Sequence, residues 1–193
     1  MNKTVLTSFT ILCLLSIVFL IGYKISVKAS PDVIHVPTDF PTIQEAINSA
    51  TDGDTIFVHK GTYIENLFVN KSVSFVGEYK DSTTIDGNET GNVISITANN
   101  VNINDFTIQN SGSTNSDSGI YVVSSGNNIS RNTITNNKNG IYLYYSNNNT
   151  VSDNNVSSNN WYGIYLYYSS SNVISNNNVY SNYNDGIDRK SVV

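Results

Sequence analysis

From Asn127 onward, apolar and polar positions alternate in short runs, and the whole arrangement returns after about 22 residues, a period that belongs to repeat architectures. One frame runs Asn127, Ile129, Ser130, Asn132, Ile134, Asn137 and then Gly140-Ile141-Tyr142-Leu143-Tyr144-Tyr145. The next runs Asn149, Val151, Ser152, Asn154, Val156, Asn159 and Gly163-Ile164-Tyr165-Leu166-Tyr167-Tyr168. A third runs Asn172, Ile174, Ser175, Asn177, Val179, Asn182 and Gly186-Ile187, and the pattern breaks at Asp188. Gly119-Ile120-Tyr121-Val122 closes an earlier frame, so the regular repeats span 119–187. Self-similarity of this kind marks a stack of identical structural units.

A period of two within each frame is that of a strand. No single frame can bury its apolar side alone, whereas coil stacked on coil aligns the inward Ile, Val and Leu into continuous columns. The period is too short for a propeller blade, and one leucine per frame at most is too few for a leucine-rich repeat. The expected fold is therefore all-β: a single-stranded, right-handed parallel β-helix (solenoid) with rungs of about 22 residues and a short N-terminal capping helix. Equivalent residues at a rung corner lie about 4.8 Å apart, so asparagine amides there can bond from rung to rung. Three such ladders are expected: Asn127, Asn149 and Asn172; Asn132, Asn154 and Asn177; Asn137, Asn159 and Asn182. Asparagine also tolerates the left-handed backbone of a sharp corner.

The first half supplies the cap. Residues 42–50 read as a helix with Thr42 and Glu45 as a capping box and Ile43, Ala46, Ile47 and Ala50 on one face, suited to plug the open end of the core. Asp52-Gly53-Asp54 then turns the chain into Thr55-Ile56-Phe57-Val58, and early rungs follow through Val69, Val73, Phe75, Ile85, Val93, Ile94 and Ile96. Ile103 and Ile108 take the places of Ile129 and Ile134, with Phe106 in the slot of Asn132. The stretch from Ser111 to Ser118, rich in Ser and Gly, is expected to bulge from the stack.

Composition sharpens this picture. Asparagine fills 25 of the 95 positions from Asn99 onward, while Ala and Leu nearly vanish there, which leaves little to build helices from. At the other end, Lys3 precedes an apolar run from Val5 to Tyr23, and Val27-Lys28-Ala29 places small residues before a cleavage point. Residues 1–29 thus read as a secretory signal or, uncleaved, as a membrane anchor, with a β-helix domain over 30–193 exported to the cell surface or beyond. Setting aside Lys3, Lys24 and Lys28 moves the formal charge from −5 to −8, which argues against nucleic acid as a partner. The single cysteine, Cys13, lies within the apolar run, so no disulfide is expected in the domain. After Ile187, Asp188-Arg189-Lys190-Ser191-Val192-Val193 abandons the repeat without a closing cap, and the stack reads as incomplete at its C-terminus or as pairing through that end.

The segment from Val36 through Gly87, with P-T-I-Q-E-A-I, a G-D turn, G-T-Y and I-D-G, resembles the N-terminal part of pectin-lyase-like β-helix proteins. The later N-x-[IV]-S-x-N-x-[IV] and G-I-Y-L repeats resemble those of the NosD-like and carbohydrate-binding, sugar-hydrolase group. The resemblance implies the fold strongly and the activity weakly, because this architecture serves lyases, esterases, hydrolases and adhesins alike.

Chemistry is sparse. Glycoside hydrolysis needs paired carboxylates, yet the repeats hold only Asp117, Asp153, Asp185 and Asp188, none at a recurring position. The Asp-Asp pair and Gly-His-Gly signature of polygalacturonase-like enzymes are missing, and so are the aspartate pair and arginine of pectin methylesterases. Arg131 has no acidic cluster beside it in sequence. His35 and His59 precede the repeats, and Met and Cys occur only before residue 30, so the soft ligands of a copper site are lacking and no metal or cofactor is expected. If Ile141 and Leu143 point inward, Tyr121, Tyr142, Tyr144, Tyr165 and Tyr167 form an outward stripe suited to the apolar faces of sugars or, alternatively, only to cross-strand stacking. Sequons at Asn70, Asn88, Asn128, Asn148 and Asn155 are possible glycosylation points. The expectation is a non-catalytic surface protein that binds polysaccharide or envelope components, with membrane contact only through an uncleaved N-terminus. The alternative is a polysaccharide-active lyase, esterase or hydrolase with its site beside the loop from Ser111 to Ser118.

Overall fold

The computed structural model describes residues 30–190; the apolar segment at 1–29 and the residues 191–193 lie outside the described residues. Strand β1 (Val33–Val36) precedes the helix α1 (Ile43–Ser49). Then β2 (Thr55–Val58), β3 (Gly61–Ile64) and β4 (Leu67–Val69) form the first full coil. The second coil is β5 (Ser74–Gly77), β6 (Thr83–Asp86) and β7 (Ile94–Ile96), and the third is β8 (Asn102–Asn104), β9 (Thr107–Gln109) and β10 (Ser118–Val122). The fourth is β11 (Asn128–Ser130), β12 (Thr133–Thr135) and β13 (Asn139–Tyr144). The fifth is β14 (Thr150–Ser152), β15 (Asn155–Ser157) and β16 (Ile164–Tyr167), and β17 (Val173–Ser175), β18 (Asn178–Tyr180) and β19 (Ile187–Lys190) make the sixth.

Each strand pairs in parallel with its equivalent one coil away, which gives three sheets. Sheet A orders β1-β2-β5-β8-β11-β14-β17, sheet B orders β3-β6-β9-β12-β15-β18, and sheet C orders β4-β7-β10-β13-β16-β19. This is a parallel β-helix. The inward column of sheet A runs Ile56, Phe75, Ile103, Ile129, Val151 and Ile174. Sheet B stacks Ile85, Ile108, Ile134, Val156 and Val179, and sheet C stacks Leu67, Ile94, Ile120, Ile141 and Ile164. Ile129, Val151, Ile134 and Val156 have no exposed surface at all. Ile103 and Ile108 occupy the expected slots beside Ile129 and Ile134. Coil length becomes regular only in the later coils. Along the sheet A column, the coil from Ile56 to Phe75 is shorter than the repeat, and those from Phe75 to Ile103 and from Ile103 to Ile129 are longer.

The helix closes the end of this core, with Ile43, Ala46 and Ile47 buried on one face. Its capping differs from the expected box. Thr42 Oγ1 accepts from Glu45 N at 3.2 Å, but the other free amides, Ile43 N and Gln44 N, donate to Glu65 at 2.9 and 3.0 Å. A carboxylate from the neighbouring coil thus meets the positive end of the helix, and Lys71 Nζ donates to the carbonyls of Asn48 and Ala50 at the negative end. Gln44 also covers the open edge of sheet C: its Oε1 accepts from Phe68 N and its Nε2 donates to Phe68 O.

All three asparagine ladders are present, buried in their first two members and half-buried at Asn172, Asn177 and Asn182. Asn127 and Asn149 are 1% exposed and Asn132 and Asn137 are fully buried. In the second and third members of each ladder the oxygen accepts twice from the preceding coil, as where Asn154 Oδ1 accepts from Asn132 N at 3.0 Å and from Asn132 Nδ2 at 3.1 Å. The ladders extend one coil further through backbone alone, since Val101 N, Phe106 N and Ser111 N donate to Asn127, Asn132 and Asn137. One expectation is corrected: the left-handed corner residues are not the ladder asparagines but their predecessors. Gly126, Asn148 and Ser171, then Arg131, Asp153 and Asn176, then Asn136, Ser158 and Ser181 all have φ between 54° and 73°. The predecessor turns the chain, and the asparagine then points its amide into the stack.

The last coil also differs from expectation. Side-chain pattern stops at Asp188, yet backbone pairing continues, with Arg189 opposite Leu166 and Lys190 opposite Tyr167.

Candidate functional site: the aromatic face of sheet C and the groove beside it

Sheet C turns tyrosines outward in two columns. Tyr121, Tyr142 and Tyr165 stand in register, as do Tyr144 and Tyr167. The rings stack from coil to coil, Tyr142 on Tyr165 at 4.8 Å and Tyr144 on Tyr167 at 5.4 Å between centroids. They also meet within a coil, edge to face. Sequence reading missed the outer members of this surface. Tyr145 and Tyr168 continue it around the corner, stacked at 5.1 Å, and Tyr162 lies on Tyr165 at 4.4 Å. The signal for Tyr145 and Tyr168 was available in the Tyr-Tyr doublets at equivalent repeat positions.

Mutual packing corrects the idea of an exposed stripe. Tyr142 and Tyr165 are only 8% exposed, and Tyr121, Tyr144 and Tyr167 are half-buried, whereas Tyr145 is 57% exposed. Burial, reinforced by neighbouring phenols, pushes Tyr165 up to about 12 and Tyr142 further. Burial also raises Tyr121, Tyr162 and Tyr167, and Asp188 and Lys190 follow Tyr165 and Tyr167 in register on the last strand. The ring faces are taken up by one another, and a ligand would meet edges, hydroxyls and the open rings at the rim.

Beside sheet C, the corner leading into it from sheet B holds a groove of about 350 Å³ lined by Glu89, Asn110, Ser111, Gly112, Ser113, Asn136 and Asn160. The loop after Ser111 forms one wall, with residues 113–116 exposed as expected, and buried Asp117 anchors it by accepting from Thr114 N at 2.8 Å. Glu89 is the one carboxylate in the lining. Two other acids are committed elsewhere. Asp54, 6% exposed, accepts from Thr51 N and Asp32 N, and these backbone bonds hold it below the usual carboxylate range. Asp105 binds Arg131 at 2.7 Å, an acid that sequence adjacency missed because it sits one coil earlier.

The histidines lie on sheet A near the capped end, His35 stacked on His59 at 5.5 Å and His59 Nδ1 at 3.4 Å from Glu78. Among the described residues, no three His, Cys, Asp or Glu side chains converge as a metal-binding set. Of the sequons, Asn70, Asn88 and Asn148 are exposed at corners, while Asn128 and Asn155 are half-buried in β11 and β15.

The family model described as "Periplasmic copper-binding protein (NosD)" matches residues 47–191, well over half of the chain. The chain belongs to the NosD family. A comparison with curated proteins finds no match. Among solved structures, this NosD-family chain is similar to the pectin methylesterase from carrot, with a TM-score of 0.57 and 16% identity over 75% of this chain and 53% of that one. It is likewise similar to pectin methylesterase PemA from Erwinia chrysanthemi, with a TM-score of 0.51 and 16% identity over 72% of this chain and 55% of that one. At such identity the likeness shows the fold alone, and the chain spans about half the length of those enzymes.

Proposed function

We propose that this NosD-family chain is an exported, non-catalytic β-helix that binds carbohydrate or other envelope components on the outer face of sheet C. The observation that supports the reading is the aromatic surface, two columns of stacked tyrosines flanked by Tyr145, 57% exposed, and by the half-buried Tyr168. Rings with a polar tip suit sugars, which offer both C–H faces and hydroxyls. Export accords with the family description, which names the periplasm, and with the apolar segment at Val5 to Tyr23. The enzyme alternative draws less support, because the groove is lined by one carboxylate and acid–base cleavage of a glycoside calls on two.

Copper, named in the family description, does not fit the described residues well. Soft thioether and thiolate ligands are absent from residues 30–190, His35 and His59 face each other ring to ring, and Glu78 joins only His59.

Titration of the mature chain with a panel of envelope and plant polysaccharides tests the proposal. Saturable binding, weakened several-fold when Tyr144, Tyr167 and Tyr168 are changed to Ala, is expected, with no release of reducing or unsaturated ends. No binding across the panel defeats it, and product release would replace it with the enzyme reading.

A further inference from the structure

The corner between sheets B and C has its own column of outward residues. Lys138 N donates to Ser111 Oγ at 2.8 Å, Asn160 N to Asn137 O at 2.7 Å, and Tyr183 N to Asn159 O at 3.0 Å. Lys138, Asn160 and Tyr183 therefore succeed one another coil by coil, in line with the groove, and Lys138 is tied to the buried Ser111 of the coil before. From the coil of Glu89 to that of Tyr183 there are four steps of about 4.8 Å, a track of roughly 19 Å parallel to the helix axis.

The chemistry of this track differs from that of the buried ladders a residue away. Every ladder amide both donates and accepts within the stack. The side chains of Glu89, Ser113, Asn136 and Asn160 line a common groove and are exposed. Their donors and acceptors face water, which a ligand bearing hydroxyls can replace with little penalty. At the far end stands Trp161, 38% exposed, with Lys138 Nζ 4.6 Å from its ring centroid. Tyr183 stacks on Trp161 at 6.4 Å and 20° and is itself 83% exposed, so it presents an open ring face braced from behind.

We propose that this corner groove is a binding track for a neutral glycan strand, its hydroxyls met by Glu89, Ser113, Asn136 and Asn160 and its terminal ring stacked on Tyr183. The inference rests on the carbohydrate-binding reading above but locates a site distinct from the tyrosine columns of sheet C. A neutral strand is indicated by the amide and hydroxyl lining, by the single carboxylate, and by the formal charge of −8 outside residues 1–29, which opposes a polyanion.

The test is calorimetric titration of the mature chain with neutral cello-, xylo- and manno-oligosaccharides and with oligogalacturonate as the anionic probe. Because Tyr183 and Asn160 are exposed, Tyr183→Ala and Asn160→Ala are expected to keep the melting temperature while weakening neutral oligosaccharide binding, the first at least tenfold and the second about threefold. Tyr79→Ala, which removes a ring 64% exposed on another corner, is expected to bind as the unaltered chain does. Undiminished affinity in both groove variants, alongside loss in the sheet C variants, overturns the groove and leaves the broader reading standing. A chain that binds no oligosaccharide overturns both, and a preference for oligogalacturonate over the neutral probes overturns the neutral-strand assignment.

Discussion

A single ladder residue shows how the stack is held. The amide of Asn154 has two donors and two acceptor sites, and all four are in use: Oδ1 accepts from Asn132 N and Nδ2, while Nδ2 donates to Ile129 O at 2.9 Å and to Asn177 Oδ1 at 3.0 Å. Asn154→Ala leaves buried backbone groups unpaired and is expected to cost about 3 kcal/mol. Asn160→Ala, at an exposed position, should change stability by about 0.5 kcal/mol or less. Chemical denaturation of both variants checks this, and equal midpoints would refute the structural role. The ladders were legible in sequence because one residue type recurs at fixed spacing. Their left-handed predecessors were not, since Arg131, Asp153 and Asn176 share a backbone conformation and no side-chain chemistry. At Gly140 the demand is steric instead: an added Cβ would collide with Gly163 O and lie 2.7 Å from Val156 Cγ1, which explains the glycine that opens each Gly-Ile-Tyr repeat.

At the level of strands, alternation gave the right inward set, and outward direction was inferred correctly for the tyrosines of β10, β13 and β16. What alternation could not give was their cover. Exposure of Tyr142 depends on Tyr121, Tyr144 and Tyr165, which lie on three different strands or positions, and Tyr162 reaches Tyr165 from a corner that the repeat pattern leaves undefined. This packing has a pH signature. A phenol raised in the folded state keeps its proton when the unfolded chain has lost it, so the folded state binds more protons and stability falls as pH rises. The stabilisation is fully present below the unfolded value of about 10 and is lost as pH climbs through the folded value of Tyr165, about 12. Thermal melts across this window are expected to fall steeply, and less so for a chain carrying Tyr142→Phe and Tyr165→Phe. A slope unaffected by those substitutions would separate alkaline unfolding from this surface.

For the molecule as a whole, stacking makes stability nearly one-dimensional, because each coil contacts only its neighbours. The sequence exposed this architecture through its late, regular frames, while the early coils, unequal in length, could be read only as a string of apolar positions. Burial varies along the axis. Ile103, Ile129 and Val151 are at most 1% exposed, whereas Ile174 and Val179 are half-buried and Ile187 is 53% exposed. The opposite end is sealed by α1, pinned through Glu65 and Lys71. Local opening should therefore begin in the coil of β17, β18 and β19 and progress toward β11, not inward from the helix. Hydrogen exchange on this chain is expected to show amides of Ile174, Val179 and Ile187 exchanging at least tenfold faster than those of Ile129, Ile134 and Val151, with Ile56 among the protected. Uniform protection in every coil would mean that the stack opens as a single unit, and faster exchange at Ile56 than at Ile174 would mean that the helix does not seal the core.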